Sequence, residues 1–260
     1  MPPYFSSSHL KQYLGEMVAS ARQAGFQTET ISHHESIEIP AFSRLGAGNK
    51  PPVILLSAGI HGDEPAGLLT ILEFLKSEPA TEFTWLITPL LNPSGIIAGT
   101  RENMVGTDLN RAYGQCDSPE ITSQLAWLAN HPTPDLFIAL HEDWEATGFY
   151  FYELHRGATP ESELFCKSIL AAVAPYLPIE SGPLIDGHEA TGSGWIYHEE
   201  IPEIPEIPEG LPEALYFINK GCAHSLTFET PSEAAIGERT AALLAAIHAA
   251  AKHFWELFGK

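Results

Sequence analysis

Apolar positions along the chain recur with two periods, and segments of each kind alternate. Behind Ser8, the run from His9 to Phe26 has helical spacing, with Leu10, Tyr13, Leu14, Met17 and Ala21 on one face. Ser8 reads as its N-cap, and Gly25 as its stop. Residues Gln27 to Ile39 alternate and end before Pro40, enough for one strand or two. Val53 to Ser57, Phe83 to Leu91, Leu136 to Leu140 and Gly148 to Leu154 are strand-like runs, as is the stretch ending at Leu226–Phe228. Helical spacing returns over Glu64–Lys76, Pro119–Ala129, Glu161–Ala174 and the alanine-rich Glu233–Phe258. Strands alternating with helices predict an α/β fold with a mixed central sheet and helices on both faces. No linker divides the chain, so residues 1–260 are read as a single domain.

Charge narrows the partners. Against 13 basic residues stand 33 acidic ones, a formal charge of −20, which should repel nucleic acid and anionic membrane surfaces. The longest apolar runs fall short of a membrane span, and the N-terminus has no basic segment followed by an apolar one. The three cysteines, Cys116, Cys166 and Cys222, are odd in number and scattered. They form no disulfide framework and no Cys-x-x-Cys pair. A reduced cytoplasmic protein is the expectation. Ile201 to Gly210 repeats Ile-Pro-Glu, which favours an extended polyproline II path, either a solvated spacer or a loop at a pocket rim.

Chemistry concentrates at strand ends. In Ser57-Ala58-Gly59-Ile60-His61-Gly62-Asp63-Glu64 a strand ends, glycines turn the chain and a helix begins. His61 and Glu64 are three apart, so the turn can aim both at one point. A second strand run ends at His141, in Ile138-Ala139-Leu140-His141-Glu142-Asp143. Two histidines and one glutamate make a His2Glu set, which holds zinc with a fourth position open. Arg101 and the pair Asn110-Arg111 lie in a turn-rich stretch, either an anion site or surface arginines. Glu229 ends the apolar strand Leu226-Thr227-Phe228 before Pro231. Alone it is an ordinary strand-end acid; beside a zinc-bound water it is a candidate general base.

These pieces, in this order from residue 57 to 231, resemble the carboxypeptidase A-like zinc peptidase family. The resemblance implies one zinc ion on His61, Glu64 and His141. It implies that Arg101 polarises the scissile carbonyl, that Asn110 and Arg111 grip a terminal carboxylate, and that Glu229 is the base. Peptidases of that family carry a substrate-binding tyrosine upstream of the base, for which Tyr197 is the nearest candidate; Asp186 and His188 lie in the same stretch. The chain is shorter than digestive carboxypeptidases. Compact bacterial members include enzymes that cut γ-D-glutamyl-diaminopimelate bonds in cell-wall peptides. His61-Gly62-Asp63-Glu64 and Asp108-Leu109-Asn110-Arg111 are also similar to the succinylglutamate desuccinylase and aspartoacylase branch, which shares the ligands and arginines but cleaves N-acyl amino acids. The implied partner is a short peptide or an acyl-amino acid with a free carboxylate. Three readings remain open: metallocarboxypeptidase, N-acyl amino acid deacylase, and a non-catalytic binding protein on the same scaffold.

Overall fold

Burying two-sided apolar strands requires a layer on each face, and the computed structural model of the chain meets that requirement with one eight-stranded sheet between two sets of helices. It describes residues 3–114, 118–155, 160–197, 201 and 210–258. Cys116 and positions 202–209 of the Pro/Glu repeat lie outside the described residues.

The elements run α1 (Ser7–Gln23), β1 (Gln27–His34), β2 (Ile37–Arg44), β3 (Val53–Ala58), α2 (Pro65–Lys76), β4 (Thr84–Thr88), α3 (Pro93–Ala98), a 3-10 turn (Leu109–Arg111), α4 (Pro119–Leu128), β5 (Leu136–Asp143), β6 (Tyr150–His155), α5 (Pro160–Val173), β7 (Leu184–Ile185), β8 (His188–Glu189), β9 (Trp195–Tyr197), α6 (Glu213–Asn219), β10 (His224–Pro231) and α7 (Ile236–Phe258). Small shifts from expectation have local causes. Ser6, not Ser8, caps α1, its hydroxyl accepting from the His9 N–H at 3.3 Å. The alternating run from Gln27 breaks into two strands at a turn where Glu35 takes φ 52°. The last helix starts at Ile236, because the chain first turns at the end of β10, with the Ala234 N–H bonded to the Pro231 carbonyl at 3.0 Å.

Strand order is β1-β2-β4-β3-β5-β10-β6-β9. The four central strands, β4, β3, β5 and β10, are parallel, and antiparallel pairs flank them, so the sheet is mixed. Residues alternate between faces. Ile54, Leu56, Leu136, Ile138, Leu226 and Phe228 join the core under α1, α2, α5 and α7. Val53, Leu55, Phe137 and Ala139 face the core under α4 and α6. From β3 the chain crosses to β4 on one side, and β5 then returns to the other side of β3. The crevice beyond the carboxyl ends of β3 and β5 is therefore a topological switch point, where open α/β sheets bind ligands. Among the described residues, no helix is long and apolar enough to cross a membrane.

The turn leaving β3 is held against the segment after β4. The Leu91 and Asn92 N–H groups both donate to the Gly59 carbonyl, at 3.1 and 2.8 Å. Gly62 lies so close to α3 that a Cβ there would sit 1.9 Å from the Gly95 carbonyl carbon. The three nearest atoms are all backbone of Gly95 and Ile96, so no side-chain movement relieves the overlap. Gly62→Ala is expected to cost about 1–3 kcal/mol or more, as overpacking does. Urea denaturation checks this, and an unchanged midpoint would contradict the packing described.

Candidate metal centre and active site

Three elements converge on one point. His61 lies in the turn after β3; Glu64 is the N-cap residue of α2, with Pro65 as the first helical residue. His141 sits on β5, on the same face as Phe137 and Ala139 by the alternation of the strand. His61 Nδ1 is 2.6 Å from Glu64 Oε1, His141 Nδ1 is 2.9 Å from Glu64 Oε2, and the two Nδ1 atoms are 3.2 Å apart. All three side chains are buried. Bonds of about 2.0–2.1 Å around a tetrahedral zinc place neighbouring donor atoms roughly 3.3 Å apart, so these atoms need only spread slightly. Two imidazole nitrogens and a carboxylate oxygen suit zinc chemically, and three donors leave a position open. The residues present fit the ion that the sequence implies.

Their outer contacts fix orientation. His61 Nε2 is 3.3 Å from Asp108 Oδ1, which also accepts the Asn110 N–H at 2.9 Å. Asp108 Oδ2 receives Arg101 Nε at 3.1 Å. Behind His141, alternation sends the next residue, Glu142, to the opposite face. There Glu142 accepts the Ala66 N–H at 2.6 Å and pairs with Arg239 of α7, tying α2 and α7 to the end of β5. Asp108 belongs to the Asp108-Leu109-Asn110-Arg111 motif and Glu142 follows His141, but the sequence alone marks neither as a positioning residue.

The crevice opens into a cavity of about 680 Å³ lined by His61, Glu64, His141, Arg101, Asn110, Arg111 and Glu229 among others. Glu229 pairs in register with His141 on one side and with Tyr150 on the other. Burial, with Glu64, Asp143 and Asp186 nearby, pushes its carboxyl well above the usual range, against the opposing pull of Arg101. Asn110 Oδ1 accepts the Glu213 N–H at 2.8 Å, which orients the side-chain amide. Arg111 bonds the Asn110 carbonyl through Nη1 at 2.8 Å. Asp186 and His188 also reach the cavity.

Tyr197 requires a correction. It lies on β9, opposite Glu153, and its hydroxyl donates to the His155 carbonyl at 3.3 Å, at the other end of β6 from Tyr150. It does not line the cavity. The phenols that do are Tyr150 and Tyr152, whose hydroxyls donate to Asp143 Oδ2 at 2.9 Å and Asp186 Oδ2 at 2.5 Å. The sequence signal for them was the period-two spacing of Tyr150 and Tyr152 on a strand paired with the one carrying Glu229.

Residues 50–183, about half of the chain, match the family model of the succinylglutamate desuccinylase/aspartoacylase catalytic domain. That stretch holds His61, Glu64, Arg101, Asn110, Arg111 and His141, and stops before Glu229. A murein peptide amidase A from Vibrio campbellii is 33% identical over 82 residues, 32% of this chain and 33% of that protein's length. A candidate metallopeptidase from Shewanella denitrificans shares the fold with a TM-score of 0.78 at 23% identity, covering 95% of this chain and 90% of that one. A metallo-carboxypeptidase from Burkholderia cenocepacia superposes with a TM-score of 0.72 at 19% identity, covering 98% of this chain and 70% of that one.

The cluster of His61, Glu64 and His141 makes the protein sensitive to pH. Burial pushes the His61 imidazolium down, but Glu64 and Asp108 outweigh burial and Arg101 and hold it at about 9, above its ordinary 6.5. Burial pushes Glu64 up, but the two imidazoles bring it from 4.5 down to about 2. The raised His61 stabilises the fold fully below pH 6.5 and loses that contribution as pH rises through 9. The lowered Glu64 contributes above pH 4.5 and loses it as pH falls through 2. In chelator, the melting temperature is therefore expected to fall between pH 6.5 and 9, and His61→Gln to flatten that fall. Calorimetry across the window checks it; parallel profiles would contradict the pairing.

Proposed function

Because the chain belongs to the succinylglutamate desuccinylase/aspartoacylase catalytic-domain family, we propose that it is a zinc-dependent hydrolase of amide bonds beside a free carboxylate, acting as a carboxypeptidase on short peptides. The observation that carries this reading is the convergence of His61, Glu64 and His141 at 2.6–3.2 Å within reach of a cavity that also holds Glu229 and the Asn110–Arg111 pair. Cell-wall-derived peptides are the first substrates to try, given the similarity to a murein peptide amidase over 82 residues.

A zinc ion on these ligands would polarise the substrate carbonyl and lower the pKa of a water molecule towards about 7. The chain's own residues supply the remainder. Glu229 accepts a proton from the attacking water and delivers it to the leaving nitrogen as the C–N bond breaks. Its raised proton affinity suits it to both transfers. Arg101, already aligned by Asp108, presents its guanidinium to the carbonyl oxygen as negative charge develops there. Asn110 and Arg111 hold the terminal carboxylate and set the scissile bond at a fixed distance from it.

The wall beyond the ligands favours a peptide over a dianionic acyl group. Asp63, Asp143, Glu145 and Asp186 line it along with Glu229, and Arg101 and Arg111 are the arginines set against them. Such a wall repels a second carboxylate and accepts an ammonium. The second reading, N-acyl amino acid deacylase, rests on the family match itself.

Mass spectrometry on a mixed panel tests the proposal: C-terminal di- and tripeptides, a γ-D-glutamyl-diaminopimelate peptide, and N-acetyl and N-succinyl amino acids, each with and without chelator. Loss of a C-terminal residue that chelator abolishes is expected. Release of acyl groups alone would move the chain to the deacylase reading, and no hydrolysis of any member would overturn both. Against a cleaved substrate, Glu229→Gln is expected to keep its zinc and lose about 10²–10⁴-fold in kcat. Arg111→Ala is expected mainly to raise KM; an unchanged KM would remove Arg111 from the carboxylate site.

A further inference from the structure

At the opposite end of the sheet from the cavity lies a second set of convergent bases. Glu153 and His155 are two apart on β6, so their side chains share a face. His224, the first residue of β10, pairs in register with His155. The two imidazoles stack with ring centroids 4.5 Å apart. Glu153 Oε1 is 3.5 Å from His155 Nε2 and 4.0 Å from His224 Nε2, and all three donor atoms lie within 4.8 Å of one another. All three residues are buried, Glu153 completely.

The two oxygens of Glu153 are treated differently. Oε2 accepts the Trp195 indole N–H at 3.0 Å and the Cys166 thiol at 3.3 Å. Among the described residues Oε1 accepts no hydrogen bond, and it faces the imidazoles. Two donors thus fix the carboxylate so that one bare oxygen points at two ring nitrogens. A buried carboxylate oxygen without a donor is costly, and a cation between the three groups removes that cost. The separations of 3.5 and 4.0 Å are close to the roughly 3.3 Å expected around tetrahedral zinc. Aromatic rings close the surroundings: Phe165 of α5 and Phe254 of α7 lie edge-on to His224, and Tyr197 lies against His155. An apolar shell of this kind strengthens and shields a buried ion.

We propose that Glu153, His155 and His224 form a second divalent-cation site, of zinc type, which clips β6 to β10. Glu229 and His224 are five residues apart on β10, about 17 Å at strand rise, so this ion is separate from the catalytic one and takes no part in hydrolysis. It loads as the chain folds, since the donors are buried and assembled from two strands. Cys166 and Trp195 are positioning residues that hold Glu153 in line.

The test uses the untagged full chain carrying His61→Ala and His141→Ala, which removes the first ligand set and leaves the second intact. Protein expressed in zinc-supplemented medium and desalted is analysed by inductively coupled plasma mass spectrometry, with folding checked by circular dichroism. One zinc per chain is expected. Zinc-edge absorption spectroscopy of the same sample should show two imidazoles and a carboxylate in the ion's first shell. Adding His224→Gln to a chain that still folds should abolish the retained equivalent. A folded double variant without zinc, or with zinc whose shell lacks two imidazoles, would overturn the site.

Discussion

Three Lewis bases held within 2.6–3.2 Å of one another, all buried, are the constraint on which this molecule depends. Nothing in the hydrophobic effect brings two imidazoles and a carboxylate together. The backbone must impose that arrangement, and each part of the local architecture serves it. Parallel pairing of β3 with β5 sets the two histidine-bearing strand ends side by side. Gly59 and Gly62 let the turn pass close against Leu90 and Gly95. Glu142, on the other face from His141, accepts a helix N-terminal N–H and pairs with Arg239, so α2 enters at a fixed angle and carries Glu64 with it.

The same crowding sets the electrostatics. A cluster of bases attracts positive charge, and here Arg101 approaches it, with Nη1 3.3 Å from His61 Nδ1 and 3.6 Å from Glu64 Oε1. Asp108 holds both partners, accepting from Arg101 while contacting His61. Burial pushes Asp108 up, but His61, Arg101 and Arg111 together carry it well below the usual carboxylate range. At Glu229 burial and the neighbouring carboxylates outweigh the pull of Arg101, and it is driven the other way. Two carboxylates in one cavity are therefore driven in opposite directions by environment alone, Glu64 towards the anion and Glu229 towards the acid.

Much of this was legible from residue patterns. The central strands are continuous apolar runs because both faces are buried, and Val53–Ser57 and Leu136–Leu140 fall inside β3 and β5. His141 and Glu229 lie at the ends of such runs, and His61 and Glu64 follow one in the turn into α2, so their convergence followed once the strands were parallel neighbours. Short elements were not legible. β7 and β8 have two residues each, and α3 and α6 have six and seven, too few for a period to show. Tyr197 was chosen by proximity in sequence to the base, but β9 joins β6 at the sheet edge and turns it towards His155. Asp108 and the Glu142–Arg239 pair depend on contacts between residues far apart in the chain, which local spacing cannot encode.

Anomalous diffraction at the zinc edge, from crystals grown with zinc, tests the central claim most directly. A peak bonded to His61 Nδ1, His141 Nδ1 and the Glu64 carboxylate, with an open side towards Glu229, is the predicted result. A fully loaded crystal with no anomalous density among those three residues would contradict it.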